Sequence, residues 1–293
     1  MRITLVGNRA KLLADTLRDA KVPNDVYTIS ENLLTGHDEL SKQLEQTDLV
    51  IISEFFPKQE CLLSRDCVAA NNIVNLNIVN ALKQCSHKLR VAFISSCYVY
   101  GNAKQTPEEG RVCLDNWQSD AYAYEKLLAE SMYLSLTNHD TKVYRLFDMV
   151  RSYLIEILEL ADKNDPRLSA YLADNTLVHL CSDYDLSRAI MLTSYIEPSE
   201  TATSETPVTV PKIFNVGFNQ ALTVHDVASY ALKRFNHPCD YQGATRQNIS
   251  LIQPRLNNKL LKGHIKKYKG RYTDIWQDTH KTPYTNEEVV MML

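Results

Sequence analysis

The sequence predicts an α/β fold in which helices cover both sides of a parallel sheet and a smaller lobe follows. Short apolar runs alternate with helical patterns along roughly the first half of the chain, and this alternation is typical of βαβ units. The chain has 293 residues, of which 44% are hydrophobic, which is enough for one large core with an attached lobe. In a sheet of this kind, ligands bind beyond the carboxyl ends of the strands.

The predicted elements follow the chain in a simple order. Strands are expected at 3–6, 26–29, 49–52, 89–95 and 142–146, and helices at 11–20, 38–45, 67–85 and 121–136. A weaker later pattern predicts strands at 178–181 and 213–216 and helices at 185–195 and 224–235, the last with Thr223 as its N-cap. We therefore expect a Rossmann-like domain in residues 1–150, completed by 175–195 and 212–218. The remaining segments of 151–293 would form a C-terminal substrate lobe.

Composition and charge exclude several classes of protein. The formal net charge is −3, which gives no general attraction to nucleic acid or to an anionic membrane. No run approaches about 18 apolar residues, and the N-terminus lacks a signal-peptide pattern, so we expect no membrane segment. The seven cysteines are scattered without a CxxC pair, which favours a reducing compartment and a cytoplasmic protein. The eight histidines form no familiar metal-binding spacing, so no metal is expected.

One group of residues carries recognisable chemistry. Ser96 ends a predicted strand, and Tyr122 and Lys126 follow at Y-x-x-x-K spacing on a predicted helix. Residues four apart on a helix face the same way, so the ammonium is expected to favour the phenolate and to lower the tyrosine pKa. With the serine hydroxyl they would form a general acid/base for interconverting an alcohol and a ketone. Tyr124 has the wrong spacing to Lys126.

The order of several motifs along the chain extends this observation. The serine-ended strand runs into Val99-Tyr-Gly101, then YxxxK, and further matching segments lie at 47–52, 72–85, 143–147, 178–190, 213–217 and 256–260. In this order the sequence resembles the extended short-chain dehydrogenase/reductases, the nucleotide-sugar epimerase/dehydratase family. The resemblance implies that NAD or NADP binds in domain 1–150, that the substrate is a nucleotide sugar, and that the chain could form a homodimer.

The resemblance also implies roles for the three residues. Ser96 would polarise the substrate oxygen, and Tyr122 would be the acid/base. Lys126 would lower the pKa of Tyr122 and hold the nicotinamide ribose. Read without the resemblance, the same residues could be an ordinary pair on an amphipathic helix and a hydroxyl at a strand end.

The expected phosphate-binding turn departs from the family pattern. Relatives carry G-x-x-G-x-x-G after the first strand, which brings the backbone close to a pyrophosphate at a helix N-terminus. Here only Gly7 remains, followed by Asn8, Arg9 and Lys11. Either the two cations hold phosphate directly or the cofactor pocket has decayed. Both cations could also be solvated residues at a helix start.

A second departure concerns the adenine side of the expected cofactor pocket. The stretch between the second and third predicted strands is too short for the extra strand usual in the family. Ser30 stands where an acidic residue would bind the ribose diol of NAD, and Glu31 beside it could substitute. The choice between NAD and NADP is therefore left open.

Other positions bear on the substrate. Cys97 and Tyr98 replace the Asp-Glu pair that 4,6-dehydratases of the family use to remove water, which argues against that reaction. Cys97 could be a second acid/base or a small buried thiol. Asp148 stands where relatives often have asparagine, and Arg255 could bind a diphosphate or lie on the surface.

Two main hypotheses follow. The first is an NAD(P)-dependent oxidoreductase or epimerase acting on a nucleotide-activated sugar, with Tyr122 as acid/base. The second is a catalytically inactive protein of the same fold that binds a nucleotide sugar or a protein partner, because the glycine motif is degenerate. An NADPH-sensing regulator is a third option, but such proteins usually lose the tyrosine–lysine pair.

Overall fold

The structure is a computed structural model, and it describes residues 1–19, 25–28, 33–57, 60–61, 64–101, 112, 121–194, 212–217 and 222–234. Its strands are β1 (Arg2–Val6), β2 (Asp25–Thr28), β3 (Leu49–Ile52), β4 (Arg90–Ser96), β5 (Asp140–Leu146), β6 (Asp148–Met149), β7 (Leu177–Val178), β8 (Leu180–Cys181), β9 (Ile213–Val216) and β10 (Leu222–Thr223). Its helices are α1 (Ala10–Asp19), α2 (Asp38–Leu44), α3 (Arg65–Gln84), α4 (Ala121–Leu134), α5 (Val150–Asp162), α6 (Leu168–Ala173), α7 (Asp183–Ser194) and α8 (Val224–Arg234).

The central sheet has six strands in the order β2-β1-β3-β4-β5-β9, and every pair of neighbours is parallel. Strands covered on both faces need apolar residues at consecutive positions, and β3 is buried along its whole length. The chain direction across the sheet reverses at β1, so the crevice between β1 and β3 is the topological switch point. The expected α/β fold with a parallel sheet is confirmed.

Helices cover the two faces of the sheet in separate apolar cores. One core joins α1 and α7 to side chains of β1, β3, β4, β5 and β9, and the other joins α2, α3 and α4 to the opposite face. Between β2 and β3 the described residues contain α2 and no strand, in agreement with the expected shortening. Strand β9 lies beside β5, so a late segment of the chain completes the sheet.

A third apolar core joins α5, α6 and α8. The sequence analysis did not predict α5 or α6. The single strand expected at 178–181 is wrong in form, because β7 pairs with β10 in antiparallel fashion and β8 pairs in parallel with β6. The predicted cap of α8 is confirmed: Thr223 Oγ1 accepts from the Asp226 amide at 3.0 Å, and Asp226 Oδ2 accepts from the Thr223 amide at 3.3 Å.

Among the described helices, none has the length and apolar character needed to cross a bilayer.

Candidate active site

A cavity of about 440 Å³ opens at the carboxyl ends of the strands, between the sheet and the helices of the third core. Its sheet side is lined by Arg9, Ser53, Glu54, Ser96 and Tyr122, and its other side by Asp148, Tyr153, Glu156, Tyr171 and Asp174. The cavity adjoins the switch point between β1 and β3, which is where open parallel sheets bind their ligands. It is therefore the candidate active site.

Ser96 is the last residue of β4, and its hydroxyl lies at the cavity wall. The strand ends there because the next residues, Cys97–Tyr100, turn into a short 3-10 helix. Ser96 Oγ caps that helix by accepting a hydrogen bond from the Tyr98 amide at 3.3 Å. Because Oγ is the acceptor in that bond, the Ser96 hydroxyl can donate its own proton to a substrate oxygen in the cavity.

Tyr122 and Lys126 lie one turn apart on the buried face of α4, as the spacing predicts. Lys126 is only 1% exposed, and its Nζ lies 5.2 Å from the centroid of the Tyr122 ring. Tyr122 lines the cavity, while Tyr124 points away and is 61% exposed. The structure thus brings Ser96, Tyr122 and Lys126 to one site.

A fourth member of this site, Glu54, was not predicted from the sequence. It lies two residues after the end of β3, and its backbone oxygen accepts from the Asn8 amide at 2.9 Å. Its side chain is 13% exposed, and Oε2 accepts from the Tyr122 hydroxyl at 2.5 Å and lies 3.1 Å from Lys126 Nζ. The carboxylate therefore sits between the phenol and the ammonium.

This carboxylate reverses the expected tyrosine chemistry. Burial raises the pKa of Tyr122 well above its ordinary value, and the negative charge of Glu54, together with its hydrogen bond, raises it further. The expected lowering of the Tyr122 pKa is not found in this arrangement, where burial and Glu54 raise it and Lys126 is paired with Glu54. Tyr122 is held as a neutral phenol, which can give a proton but not take one.

The charges of the site stabilise one another. Burial alone would raise the pKa of Glu54, but attraction to Lys126, the Tyr122 hydroxyl and Arg9 leaves it below its ordinary value. Burial likewise opposes the charge of Lys126, and the two carboxylates of Glu54 and Glu125 raise its pKa overall. Glu54 and Lys126 are therefore an ion pair at neutral pH.

A chain of polar contacts supports Lys126 from behind. Its Nζ lies 3.5 Å from Glu125 Oε2, and Glu125 Oε1 accepts from Asn75 Nδ2 at 2.9 Å. Asn75 Oδ1 in turn accepts from the Tyr133 hydroxyl at 2.9 Å. Because these buried groups contact one another in sequence, the lysine is held in place even where the cavity side of the site changes.

The backbone amides of the turn after β1 are hydrogen-bonded to other groups of the protein. Gly7 has φ +105°, and a Cβ there would lie 2.4 Å from the backbone oxygen of Ser53, so only glycine fits. The Arg9 amide donates to Ser53 Oγ at 3.2 Å, the Ala10 amide to the Gly7 oxygen at 3.1 Å, and the Asn8 amide to Glu54 as described. Amides that would bind a pyrophosphate in a glycine-rich turn are thus used internally.

The two cations near this turn differ. Arg9 lines the cavity, and its Nη1 lies 3.5 Å from Asp183 Oδ1. Lys11 is exposed on α1 and does not line the cavity. Asn8 is exposed as well, with its amide committed to the backbone oxygen of Glu54. Of the predicted phosphate ligands, Arg9 is the one whose side chain can reach an anion in the cavity.

These residues fit a nicotinamide dinucleotide in part. Tyr122 and Lys126 supply two donors suited to ribose hydroxyls, and Arg9 supplies a cation for phosphate. The amide cradle is missing, and both donors contact Glu54, so the fit is partial.

The predicted substrate residues fall into three groups. Tyr98 and Asp148 line the cavity. Cys97 is buried in a small apolar cluster with Val99 and Phe147 and does not line the cavity, which fits a packing thiol. Arg255 and Glu31 lie outside the described residues.

A second buried charge pair lies next to the site. Glu130 on α4 binds Arg145 of β5 through two hydrogen bonds, Nε to Oε1 at 2.9 Å and Nη2 to Oε2 at 2.7 Å. Ser95 Oγ donates to Glu130 Oε1 at 2.6 Å. The guanidinium lies 4.8 Å from the ring centroid of Tyr100, whose hydroxyl donates to Asn215 Oδ1 at 2.7 Å. This group ties α4 to the sheet.

Among the described residues, one cluster brings three metal-binding atom types together: Glu45, Cys85 and His87, with ligand atoms within 4.8 Å of one another. It lies at the amino ends of β3 and β4, away from the cavity, and both carboxylate oxygens of Glu45 bind Ser86. The arrangement is explained as a contact between two loops.

Comparisons with known proteins agree with this architecture. The NAD dependent epimerase/dehydratase family matches residues 7–150. The structure of UDP-glucose 4-epimerase from Thermus thermophilus in complex with NAD superposes with a TM-score of 0.66 at 14% identity, covering 99% of this chain and 98% of that chain. TunA, an NAD-dependent NDP-hexosamine 5,6-dehydratase, gives 0.66 at 14% identity, covering 99% and 95%.

MoeE5 in complex with UDP-glucose and NAD gives a TM-score of 0.61 at 16% identity, covering 92% of this chain and 99% of that chain. A search of curated proteins found none that matches. At these identities the likeness to solved structures establishes the fold.

Proposed function

We propose that the protein is an NAD(P)-dependent enzyme acting on a nucleotide-activated sugar, because residues 7–150 match the NAD dependent epimerase/dehydratase family. The observation that carries the proposal is the meeting of Ser96, Tyr122 and Lys126 at a cavity beside the switch point of the sheet. UDP-glucose and NAD in the complex of MoeE5, a protein of the same fold, support this class of ligands.

The residues divide the work between cofactor and substrate. A bound nicotinamide would accept or return a hydride at a sugar carbon. Lys126 and Tyr122 would hold the ribose next to it, and Arg9 would contact a phosphate. Ser96 would donate a hydrogen bond to the oxygen on the reacting carbon and keep it within reach of Tyr122.

Tyr122 moves the proton in this proposal. As a neutral phenol it can protonate a sugar ketone, which is the reduction direction. For the oxidation direction it must first lose its proton, and this becomes easier when Glu54 no longer accepts its hydrogen bond and Lys126 is the nearest charge. The same residue can therefore serve both halves of an epimerisation.

The reaction we propose is 4-epimerisation or ketone reduction rather than 4,6-dehydration. Loss of water needs an additional acid and base close to the sugar. The position of Cys97 inside an apolar cluster does not suit it to that role. Tyr98 lines the cavity, but a phenol in place of a carboxylate is a poor base near neutral pH.

Two tyrosines on the same helix provide the test. Turnover is measured with a panel of UDP-, GDP- and dTDP-sugars and both nicotinamide cofactors, following epimer formation and nicotinamide absorbance. We expect Tyr122→Phe to lower kcat at least about tenfold, because general acid/base groups contribute about 10²–10⁴. Tyr124→Phe, which removes an exposed hydroxyl two residues away, should stay within about twofold. Equal rates for the two variants would refute the proposed role.

The closed turn favours one alternative function. Because the amides of Asn8, Arg9 and Ala10 are bonded within the protein, the chain could bind a nucleotide sugar without a dinucleotide and catalyse no redox step. In that case calorimetry would show sugar-nucleotide binding that neither NAD(H) nor NADP(H) alters. Binding would then be unchanged in Tyr122→Phe.

A further inference from the structure

Resting on the proposed function, we propose that Glu54 is an internal competitor of the cofactor: its carboxylate occupies the place of the nicotinamide ribose and must withdraw before NAD(P) binds. Glu54 is a specificity-determining residue that sets how tightly the dinucleotide is held.

The position of Glu54 in the fold supports this proposal. It follows β3 at the switch point, directly opposite the turn after β1. Its backbone oxygen accepts from Asn8 at 2.9 Å, so the residue is fixed against the turn that a dinucleotide would cross. The side chain at this position therefore lies where the cofactor is proposed to bind.

The partners of the Glu54 carboxylate also support the proposal. The carboxylate accepts a hydrogen bond from the Tyr122 hydroxyl at 2.5 Å and lies 3.1 Å from the Lys126 ammonium. Those are the two donors proposed to bind the ribose hydroxyls. A hydroxyl group and a carboxylate oxygen cannot occupy the same position between them, so the two ligands exclude each other.

The charges of the side chains around the cavity support it as well. With Glu54 in place, the pair formed with Lys126 is neutral, and Arg9 is balanced by Asp183 at 3.5 Å. The cavity wall thus offers little net positive charge to an anionic dinucleotide. If Glu54 is removed, Lys126 keeps Glu125 at 3.5 Å as a partner and can still donate to a ribose.

The side chain has room to move. Glu54 is 13% exposed where Lys126 is 1% exposed, so its carboxylate borders the cavity while the lysine does not. Rotation about its side-chain bonds would carry the carboxylate into the cavity, where water can solvate it. Withdrawal of Glu54 breaks its ion pair with Lys126 and its hydrogen bond with Tyr122. The apparent dissociation constant of the cofactor is then the intrinsic one divided by the fraction of molecules in which Glu54 has withdrawn.

The experiment measures binding rather than activity. Dissociation constants of NADH and NADPH are determined by calorimetry and by nicotinamide fluorescence for the full-length wild type, Glu54→Ala and Glu54→Gln. Glu156→Gln is the matched control, because it removes a carboxylate from the opposite wall of the same cavity. Circular dichroism and thermal unfolding verify that each variant is folded.

We expect Glu54→Ala to bind at least one of the two cofactors about tenfold or more tightly than the wild type, with Glu54→Gln between them. Glu156→Gln should stay within about twofold of the wild type. If Glu54→Ala binds the cofactors as tightly as the wild type or more weakly, the inference is overturned. The proposed function still stands in that case, provided that the wild type binds NADH or NADPH. If no variant binds either cofactor, the proposed function fails, and the inference fails with it.

Discussion

Two buried ion pairs meet the same helix, α4, and they differ in what surrounds them. Glu130 and Arg145 are each 1% exposed, and both carboxylate oxygens are taken by the guanidinium and by Ser95. Lys126 is equally buried, but its partner Glu54 borders the cavity. Neither member of the first pair lines the cavity, so we call it the closed pair, whereas the second pair borders the cavity through Glu54 and is the open pair.

The difference separates two uses of buried charge. A closed pair cannot exchange its partner without unfolding its surroundings, so it can only hold elements together. An open pair can exchange one partner for a ligand that offers similar hydrogen-bonding groups. The structure therefore assigns Glu130–Arg145 to the architecture of the sheet and leaves Glu54–Lys126 available to the chemistry of the site.

The largest expected effect comes from breaking the closed pair. Glu130→Ala leaves the Arg145 guanidinium buried without its carboxylate, and such losses cost about 3–5 kcal/mol of unfolding free energy. Glu54→Ala should cost less than half as much, because Lys126 keeps Glu125 and the cavity can admit water. Urea unfolding of the two variants, at equal m-values, checks the difference.

A matched double variant controls this measurement. Glu130→Leu with Arg145→Met removes both charges together and should be less destabilised than Glu130→Ala alone. Equal losses for Glu130→Ala and Glu54→Ala would show that the two pairs are not distinct, and the comparison would then be wrong.

The second effect is on the titration of Tyr122. In the wild type, burial and Glu54 raise the pKa of Tyr122, so its phenolate should be absent through the ordinary range near pH 10. Without Glu54, the negative charge and the accepting hydrogen bond are lost while Lys126 remains. The pKa of Tyr122 should fall, and tyrosinate should form at lower pH than in the wild type.

Ultraviolet difference spectra measure this shift. The chain has 16 tyrosines, so the signal of Tyr122 is taken as the difference between Glu54→Ala and Glu54→Ala/Tyr122→Phe across the pH range. The same subtraction is made for the wild type and Tyr122→Phe. A Tyr122 signal at the same pH in both backgrounds would mean that Glu54 does not control the phenol.

The sequence predicted the members of the site that belong to one helix or one strand end. Tyr122 and Lys126 are four residues apart, and Ser96 ends an apolar strand, so local pattern is sufficient. Glu54 was missed because its partners Tyr122 and Lys126 lie far along the chain. An acidic residue two positions after the fully apolar run 49–52 was the available signal, since a charge at the buried end of a strand needs a partner.

The elements of the fold were likewise predicted where a local pattern is sufficient and missed where it is not. Strands of the parallel sheet were predicted to within a few residues, because burial on both faces makes them continuous apolar runs. Helices α5 and α6 were missed, since their apolar faces meet α8 rather than the sheet and the pattern of alternating elements does not anticipate them. Arg145 inside β5 was also not interpreted, because its partner Glu130 is on a helix.

The smallest expected effect separates two adjacent serines that end β4. Both serines line the cavity, but the Ser95 hydroxyl donates to Glu130 of the closed pair, whereas Ser96 Oγ accepts from the Tyr98 amide. Ser95→Ala should lower the unfolding free energy by about 1.5 kcal/mol, the contribution of a hydrogen bond to a charged group. Ser96→Ala removes a weaker cap and should cost less than about 1 kcal/mol.

Turnover should follow the reverse order, with the greater loss in Ser96→Ala, because that hydroxyl is the one proposed to contact the substrate oxygen. If Ser95→Ala lowers kcat as much as Ser96→Ala does, the closed pair acts on the chemistry as well, and the boundary between the two pairs must be drawn elsewhere.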